Sequence, residues 1–306
     1  MNQTLRRFRR SYFLYSFRRD WVAMTSFTVL LVFLLAGLAA PLIAPYHPWD
    51  PDSIDIMNSE IPPRWMEAGE SSFLLGTDVQ GRDMLSTMLF GLRLSIVIGL
   101  GAVLLQGFLG IVVGLVAGYI GGRADSILMR IADIQLSFPY LMVAIFISAI
   151  FQVAFGIGRY EELAVPLLVV IIGLAEWPVY ARTVRAAVMG EKNKEYVEAA
   201  RVIGLSRGKI MFRHVLPNTL TSVLVISTIQ VANAVMSEAA LSFLGLGMPV
   251  TKPSLGSLIR SGFEYIFSGS WWITFFPGIL LVVFVLVINL LGDWLRDVLN
   301  PKLYKG

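Results

Sequence analysis

The chain has 306 residues, 56% of them hydrophobic, with a mean hydropathy of +0.70 and a formal charge of +4. A soluble domain is about 45–50% apolar, so a single water-soluble fold is excluded as a place to hide this much apolar surface. The absence of cysteine excludes disulfides and thiol catalysis, and His47 and His214 lie too far apart in sequence, without ligand-type neighbours, to suggest a metal centre.

Residues 1–20 form a basic tail carrying Arg6, Arg7, Arg9, Arg10, Arg18 and Arg19. From Trp21 to Ala44 no charge interrupts the apolar run. A membrane helix needs about 20 such residues, whereas the apolar part of a signal peptide has about 7–15. The spacing therefore predicts an uncleaved first span over 21–44. Residues 45–91 differ in kind. They hold Pro45, Pro48, Pro51, Pro62 and Pro63, together with Asp50, Asp52, Asp55, Glu60, Glu67, Glu70, Asp78 and Asp83. Proline at this density opposes long helices, which predicts an ordered, irregular cap with short helices at most.

Residues 92–292 read as a core of five further spans: Leu94–Ala117, Ile127–Ile150, Leu163–Val179, Leu220–Ala240 and Trp272–Leu291. The first of these carries Gly99, Gly101, Gly107, Gly110, Gly114 and Gly118, and small residues at such spacing let helix backbones approach closely. Arg130 and Asp133, three apart on one helix face, are expected to pair. Glu176 is expected to meet Arg182 or water at the span edge. The fifth span has Gln230, Asn233 and Ser237 at i, i+3 and i+7. Such a polar stripe either lines a water-filled path or hydrogen-bonds neighbouring helices. These three are the candidate translocation residues.

The loop 181–218 holds Arg182, Arg185, Lys192, Lys194, Arg201, Arg207, Lys209 and Arg213. Together with the basic N-terminal tail and the tail 293–306, this bias places both termini and this loop in the cytoplasm and the 45–91 cap on the opposite side of the membrane. Within the loop, Glu191 to Ile203 reads as a helix and Gly204 as its left-handed C-cap. Ser206 then caps a second helix to about Phe212, and Pro217 breaks the chain before the fifth span. Small side chains at Ala199 and Ala200 on a projecting helix suit insertion into another protein's cleft.

The same residues carry a resemblance. Glu198-Ala199-Ala200, three residues, Gly204, nine residues and then His214-Val215-Leu216-Pro217 is similar to the E-A-A-x3-G-x9-I-x-L-P pattern of the membrane subunits of ABC importers, with His214 at the usual isoleucine. Leu75-Gly76-Thr77-Asp78-Val79-Gln80-Gly81-Arg82-Asp83 resembles the L-G-T-D-x-x-G-R-D stretch of the oligopeptide, dipeptide and nickel type. Leu241 to Gly247 and Asn289 to Asp297 are also similar to that type, with Trp294 where a smaller residue is commoner. The resemblance implies an all-α membrane protein with six transmembrane helices, of the binding-protein-dependent permease type, in the bacterial inner membrane. It implies a coupling loop, with Glu198, Ala199, Ala200, Gly204, Leu216 and Pro217, docked on ATPases. The implied partners are a second and non-identical permease, two ATP-binding subunits, a periplasmic solute-binding protein and membrane lipid, with no nucleic acid.

Catalysis in this chain is not expected, and neither is a cofactor. A phosphate-binding loop needs G-x-x-x-x-G-K-[ST]. Around Gly208-Lys209, Ile203 stands in place of the first glycine and Ile210 in place of the Ser or Thr. The rival expectations are an ion-coupled secondary transporter, which would show internal repeats and midplane carboxylates, and a membrane scaffold.

Overall fold

The computed structural model describes residues 12–50 and 54–299. Arg6, Arg7, Arg9, Arg10, Pro51, Asp52 and the stretch from Asn300 to Gly306 lie outside the described residues. The described chain is helical, in the order α1 Tyr12–Arg19, α2 Trp21–Leu38, α3 Ala40–Ile43, α4 Met84–Ile120, α5 Gly122–Leu136, α6 Tyr140–Phe155, α7 Ile157–Glu191, α8 Glu195–Val202, α9 Arg207–Ile210, α10 Leu216–Phe243, α11 Leu255–Tyr265 and α12 Trp272–Leu299. Five helical stretches, Trp21–Leu38, Met84–Ile120, Gly158–Glu191, Arg207–Phe243 and Trp272–Leu299, are long and apolar enough to cross a membrane. The bent pair α5 and α6 makes a sixth crossing when taken as one span. The chain divides into two compact units, Met1–Ile96 with Ser242–Gly306, and Val97–Leu241.

In the first unit, Asp20 starts α2 by accepting the free N–H groups of Val22 and Ala23. Phe13 and Phe17 of α1 meet the ring of Trp294 edge-on, at 4.8 and 5.2 Å between centroids. The bulky residue of the C-terminal motif is thus filled in by the N-terminal helix. Between α3 and α4 the chain is a cap of turns with one short 3-10 helix, Ile56–Asn58. Gly76 and Gly81 take positive φ, 81° and 77°, where a side chain is disfavoured. Between them Asp78 accepts the backbone N–H groups of Gln80 and Arg82 at 2.8 and 2.9 Å. Its other oxygen takes Arg82 Nε at 2.7 Å, and Arg82 Nη1 reaches the Val250 carbonyl at 2.9 Å. Trp272 Nε1 donates to the Thr77 carbonyl at 3.0 Å, so α12 is tied to the same turn. Asp83 caps α4 through Ser86 N and Oγ, at 2.8 and 2.6 Å. Burial pushes the Asp83 carboxyl above the usual carboxylate range, against the pull of those two bonds. Beneath the cap, Met84, Met88, Leu258, Trp272 and Ile273 form an apolar cluster. Leu258 comes from α11, an amphipathic helix closed by a Ser254/Ser257 capping box.

In the second unit the glycine ladder of α4 faces α7. A Cβ at Gly110 would stand 2.9 Å from Ala181 N, at Gly114 3.0 Å from Arg185 N, and at Gly118 2.9 Å from Arg185 O. These three positions are therefore backbone-to-backbone contacts.

Helix α4 starts at Met84, inside the expected 45–91 cap, and the expected helix Glu191–Ile203 starts only at Glu195. Four further differences from the sequence expectation trace to a proline or to an ion pair. The expected third span, Ile127–Ile150, is broken into α5 and α6 with an 83° bend. Pro139 lacks an N–H and steers Phe138 away from helical backbone. The expected fourth span, Leu163–Val179, is instead part of a 35-residue helix that runs through Pro166 and Pro178 to Glu191, so much of the expected loop 181–218 is helical. Pro217 does not break the chain either: α9, a π-turn over Met211–Val215 and α10 continue as one helix. In the wider turn Leu216 N donates to Met211 O, five residues back, just ahead of the proline. Finally, Asp133 pairs with Arg182 and not with Arg130, and Arg182 is thereby taken from Glu176.

Candidate functional site

The sequence-predicted residues fall into two places, both within the second unit. The first is a helical hairpin, residues 192–217. Helix α8 ends in a Schellman motif: Leu205 N donates to Ala200 O at 3.2 Å, Gly204 N donates to Arg201 O at 3.0 Å, and Gly204 has φ +84°. A Cβ at Gly204 would meet nothing within 4 Å, so glycine is required there by backbone conformation and not by space. Ser206 stands at the N-cap of α9 with extended backbone, but its side chain makes no capping bond. Its carbonyl accepts Ile210 N at 3.0 Å instead.

The hairpin is braced on the end of α7. Glu191 accepts Tyr196 Oη at 2.6 Å and the ammonium of Lys194. Asn218 Nδ2 donates to the Tyr196 hydroxyl at 3.2 Å and to the His214 carbonyl at 2.7 Å. Burial, and then the neighbouring Glu191, push the Tyr196 phenol up to about 12. It therefore stays protonated, and donating, throughout the physiological pH range. Lys192 Nζ caps the Gly118 carbonyl at 2.7 Å, and Arg185 binds Asp125 with two bonds, at 2.5 and 2.6 Å. The first ties the hairpin base to α4, and the second ties α7, on which the hairpin is braced, to α5.

Val197, Ala200, Ile210 and Val215 form the hairpin's buried side. Glu198, Ala199 and Gly204 are exposed, Leu216 is half-buried and Pro217 is exposed. The sequence pattern singled out Ala199 and Ala200, yet Ala200 points inward. The outer face is instead Ala199, Val202 and Ile203, at i, i+3 and i+4, with Val202 88% and Ile203 76% exposed. Two bare β-branched residues on a rigid, charged knob are a poor solution for water and a good one for an apolar cleft. Their signal in the sequence was the position one helical turn beyond Ala199.

The second place is a polar network. Gln230 Nε2 donates to Glu176 Oε2 at 2.9 Å and to Gln106 Oε1 at 3.2 Å, and Asn233 Nδ2 donates to Gln230 Oε1 at 2.8 Å. Ser237 bonds the Asn233 carbonyl at 2.8 Å and also reaches Glu176. Gln230 and Ser237 are buried, whereas Asn233 is exposed. The stripe thus joins one network but presents only one of its three members at the surface. Sequence reasoning missed Gln106, which is fully buried and whose Nε2 has no hydrogen-bond partner among the described residues. It also missed Gln135, whose Nε2 donates to the carbonyls of Leu174 and of Ala175 (3.1 Å to the latter) and whose Oε1 takes Trp177 Nε1 at 2.9 Å. The Leu174 carbonyl is the one left without an N–H by Pro178, so the last turn of α5 is latched onto the proline site of α7. A cleft of about 480 Å³ opens here, lined by Gln135, Phe138, Tyr140, Glu176, Gln230 and Asn233 among others. No group of three His, Cys, Asp or Glu among the described residues is placed to hold a metal ion.

Known proteins are similar to this chain along most of its length. The family model described as "Binding-protein-dependent transport system inner membrane component" matches residues 110–305, and "N-terminal TM domain of oligopeptide transport permease C" matches residues 1–63. The "Di/tripeptide transport system permease protein DppC" of Pseudomonas aeruginosa (strain UCBPP-PA14) is 39% identical, covering 94% of this chain and 90% of its own length. The "Dipeptide transport system permease protein DppC" of Haemophilus influenzae is 36% identical, covering 95% of this chain and 94% of its own. A chain of the MetNI methionine ABC transporter aligns with a TM-score of 0.49 at 23% identity, over 66% of this chain and 93% of that one.

Proposed function

The chain belongs to the binding-protein-dependent transport system inner membrane components, as a peptide-type permease of the ABC importers, and on that premise we propose that it forms one half of a membrane channel through which peptides enter the cell. The other half is a second, non-identical permease. Two ATP-binding subunits dock on the hairpins of the pair, and a periplasmic solute-binding protein delivers the cargo from the opposite side. Both termini and the hairpin lie in the cytoplasm and the 45–83 cap lies outside, in keeping with the excess of Lys and Arg in the tails and around the hairpin. ATP binding in the docked subunits pulls the hairpin. Because the hairpin is bonded to α4 and α7, and α7 to α5, the pull passes into the helices and rocks them between inward-open and outward-open forms. The chain itself does no chemistry on ATP.

The observation that carries this reading is the bare Ala199–Val202–Ile203 face on a hairpin held by Glu191, Tyr196, Lys192 and the Gly204 cap. The Gly204→Val variant tests it. Valine in left-handed backbone costs about 1–3 kcal/mol, with no clash to confuse the result. ATP-driven uptake and retention of the ATP-binding subunits are expected to fall together, with membrane insertion unchanged. Gly204→Asn, which tolerates this backbone, is expected to restore most of both. Full uptake by the valine variant, or uptake by membranes lacking any ATP-binding subunit, would instead favour an ion-coupled transporter.

A further inference from the structure

Glu176 is a carboxylate without a counter-charge among the described residues. Among the described residues its partners are the neutral side chains of Gln230 and Ser237. The two arginines that follow it on α7 are committed elsewhere, Arg182 to Asp133 and Arg185 to Asp125. An unpaired carboxylate inside a helical bundle is costly, and such residues mark functional sites. Glu176 also lines the 480 Å³ cleft, and so do Asn233 and the aromatic residues Phe138 and Tyr140. Asn233 spends its amide N–H on Gln230 and has a carbonyl oxygen to offer as an acceptor. A carboxylate, an amide oxygen and aromatic rings around one cleft are the partners an ammonium group takes, by charge, by hydrogen bond and by cation–π contact.

We propose that this cleft is a recognition site for an ammonium group of the cargo, with Glu176 as its counter-ion and Asn233 as its second acceptor. The proposal rests on the peptide-permease reading and deepens it: the channel itself reads the positive end of the peptide. Gln230 acts through Glu176, holding the carboxylate in place, and is a positioning residue.

The test uses the purified permease–ATPase complex in nanodiscs, without the solute-binding protein, so that any preference measured belongs to the channel. Three radiolabelled probes are compared: Ala-Ala, N-acetyl-Ala-Ala and N-acetyl-Lys-Ala. The wild-type complex is expected to bind Ala-Ala about tenfold or more tighter than its acetylated form, the size of a charge-assisted hydrogen bond. In Glu176→Gln that ratio is expected to fall close to one, with binding of N-acetyl-Ala-Ala unchanged, and in Glu176→Asp it is expected to survive in part. Tight binding of N-acetyl-Lys-Ala identifies the side-chain amine as a source the site accepts, and weak binding restricts the site to the amino terminus. A tenfold preference that persists in Glu176→Gln, or an equal loss of all three probes, overturns the proposal. ATP-dependent uptake of Ala-Ala by the wild-type complex with its binding protein is run alongside. If that uptake is present while the Glu176→Gln ratio stays high, the ammonium site fails and the importer reading stands. If uptake is absent, the importer reading itself fails.

Discussion

Exchanging Val202 and Ile203 together for aspartate is expected to strip the ATP-binding subunits from the permease and abolish uptake, while leaving insertion and folding intact. Both side chains are largely exposed in the isolated chain, so nothing in its own fold depends on them. Seating two aliphatic side chains in a partner's cleft contributes about 1.5–3 kcal/mol each, and losing both weakens binding by at least about a hundredfold. Aspartate adds the cost of a charge in an apolar pocket. Co-purification and transport assays read the result directly. A variant that keeps its ATP-binding subunits at wild-type yield would move the docking surface off this face.

Arg82→Met is expected to be the most damaging single exchange in the cap. Arg82 and Asp78 are both buried, and Arg82 also holds the Val250 carbonyl in the loop before α11. Removing one partner of a buried ion pair strands the other charge, at a cost of about 3–5 kcal/mol. Hydrogen exchange is expected to show lost protection across residues 54–83. Adding Asp78→Asn to the same chain removes the stranded charge and recovers part of that protection, which a merely bulky change at Arg82 would not do. Wild-type protection in the single variant would contradict the assignment of this pair as the cap's anchor.

The sequence made some of this legible for physical reasons that can be named. The stretch 75–83 stands out by its resemblance, and its two glycines and Asp78 form the turn that ties the cap. The Gly204 cap showed itself because a lone glycine follows the last apolar residue of a helix. The close approach of α4 and α7 was written in glycines four apart. What stayed hidden depended on three-dimensional context. Ser137-Phe138-Pro139 sits inside an apolar run, and hydropathy averages over the bend that Pro139 imposes. Pro217, by contrast, reads as an end yet the helix continues through it after a π-turn, and Pro178, inside the expected fourth span, is accommodated by the Gln135 latch on the carbonyl it frees. Arg130 and Asp133 are neighbours on one helix, but Asp133 meets Arg182 from another. The network of Glu176 likewise joins residues from α4, α7 and α10, and spacing within one helix revealed only its α10 part. On the hairpin, the motif drew attention to Ala199 and Ala200. Helical geometry turns Ala200 inward and leaves Val202 and Ile203 as the exposed apolar pair.

The claim that the hairpin is the handle by which separate ATP-binding subunits move this chain meets its most direct test in cross-linking. The chain contains no cysteine, so Ile203→Cys supplies one thiol of known place in otherwise native protein. With a short thiol-to-amine reagent applied to membranes holding the whole complex, that thiol is predicted to join an ATP-binding subunit, in a yield that changes when ATP is bound. A cross-link to the solute-binding protein instead, or labelling of the thiol from outside intact spheroplasts by a membrane-impermeant maleimide, would contradict it.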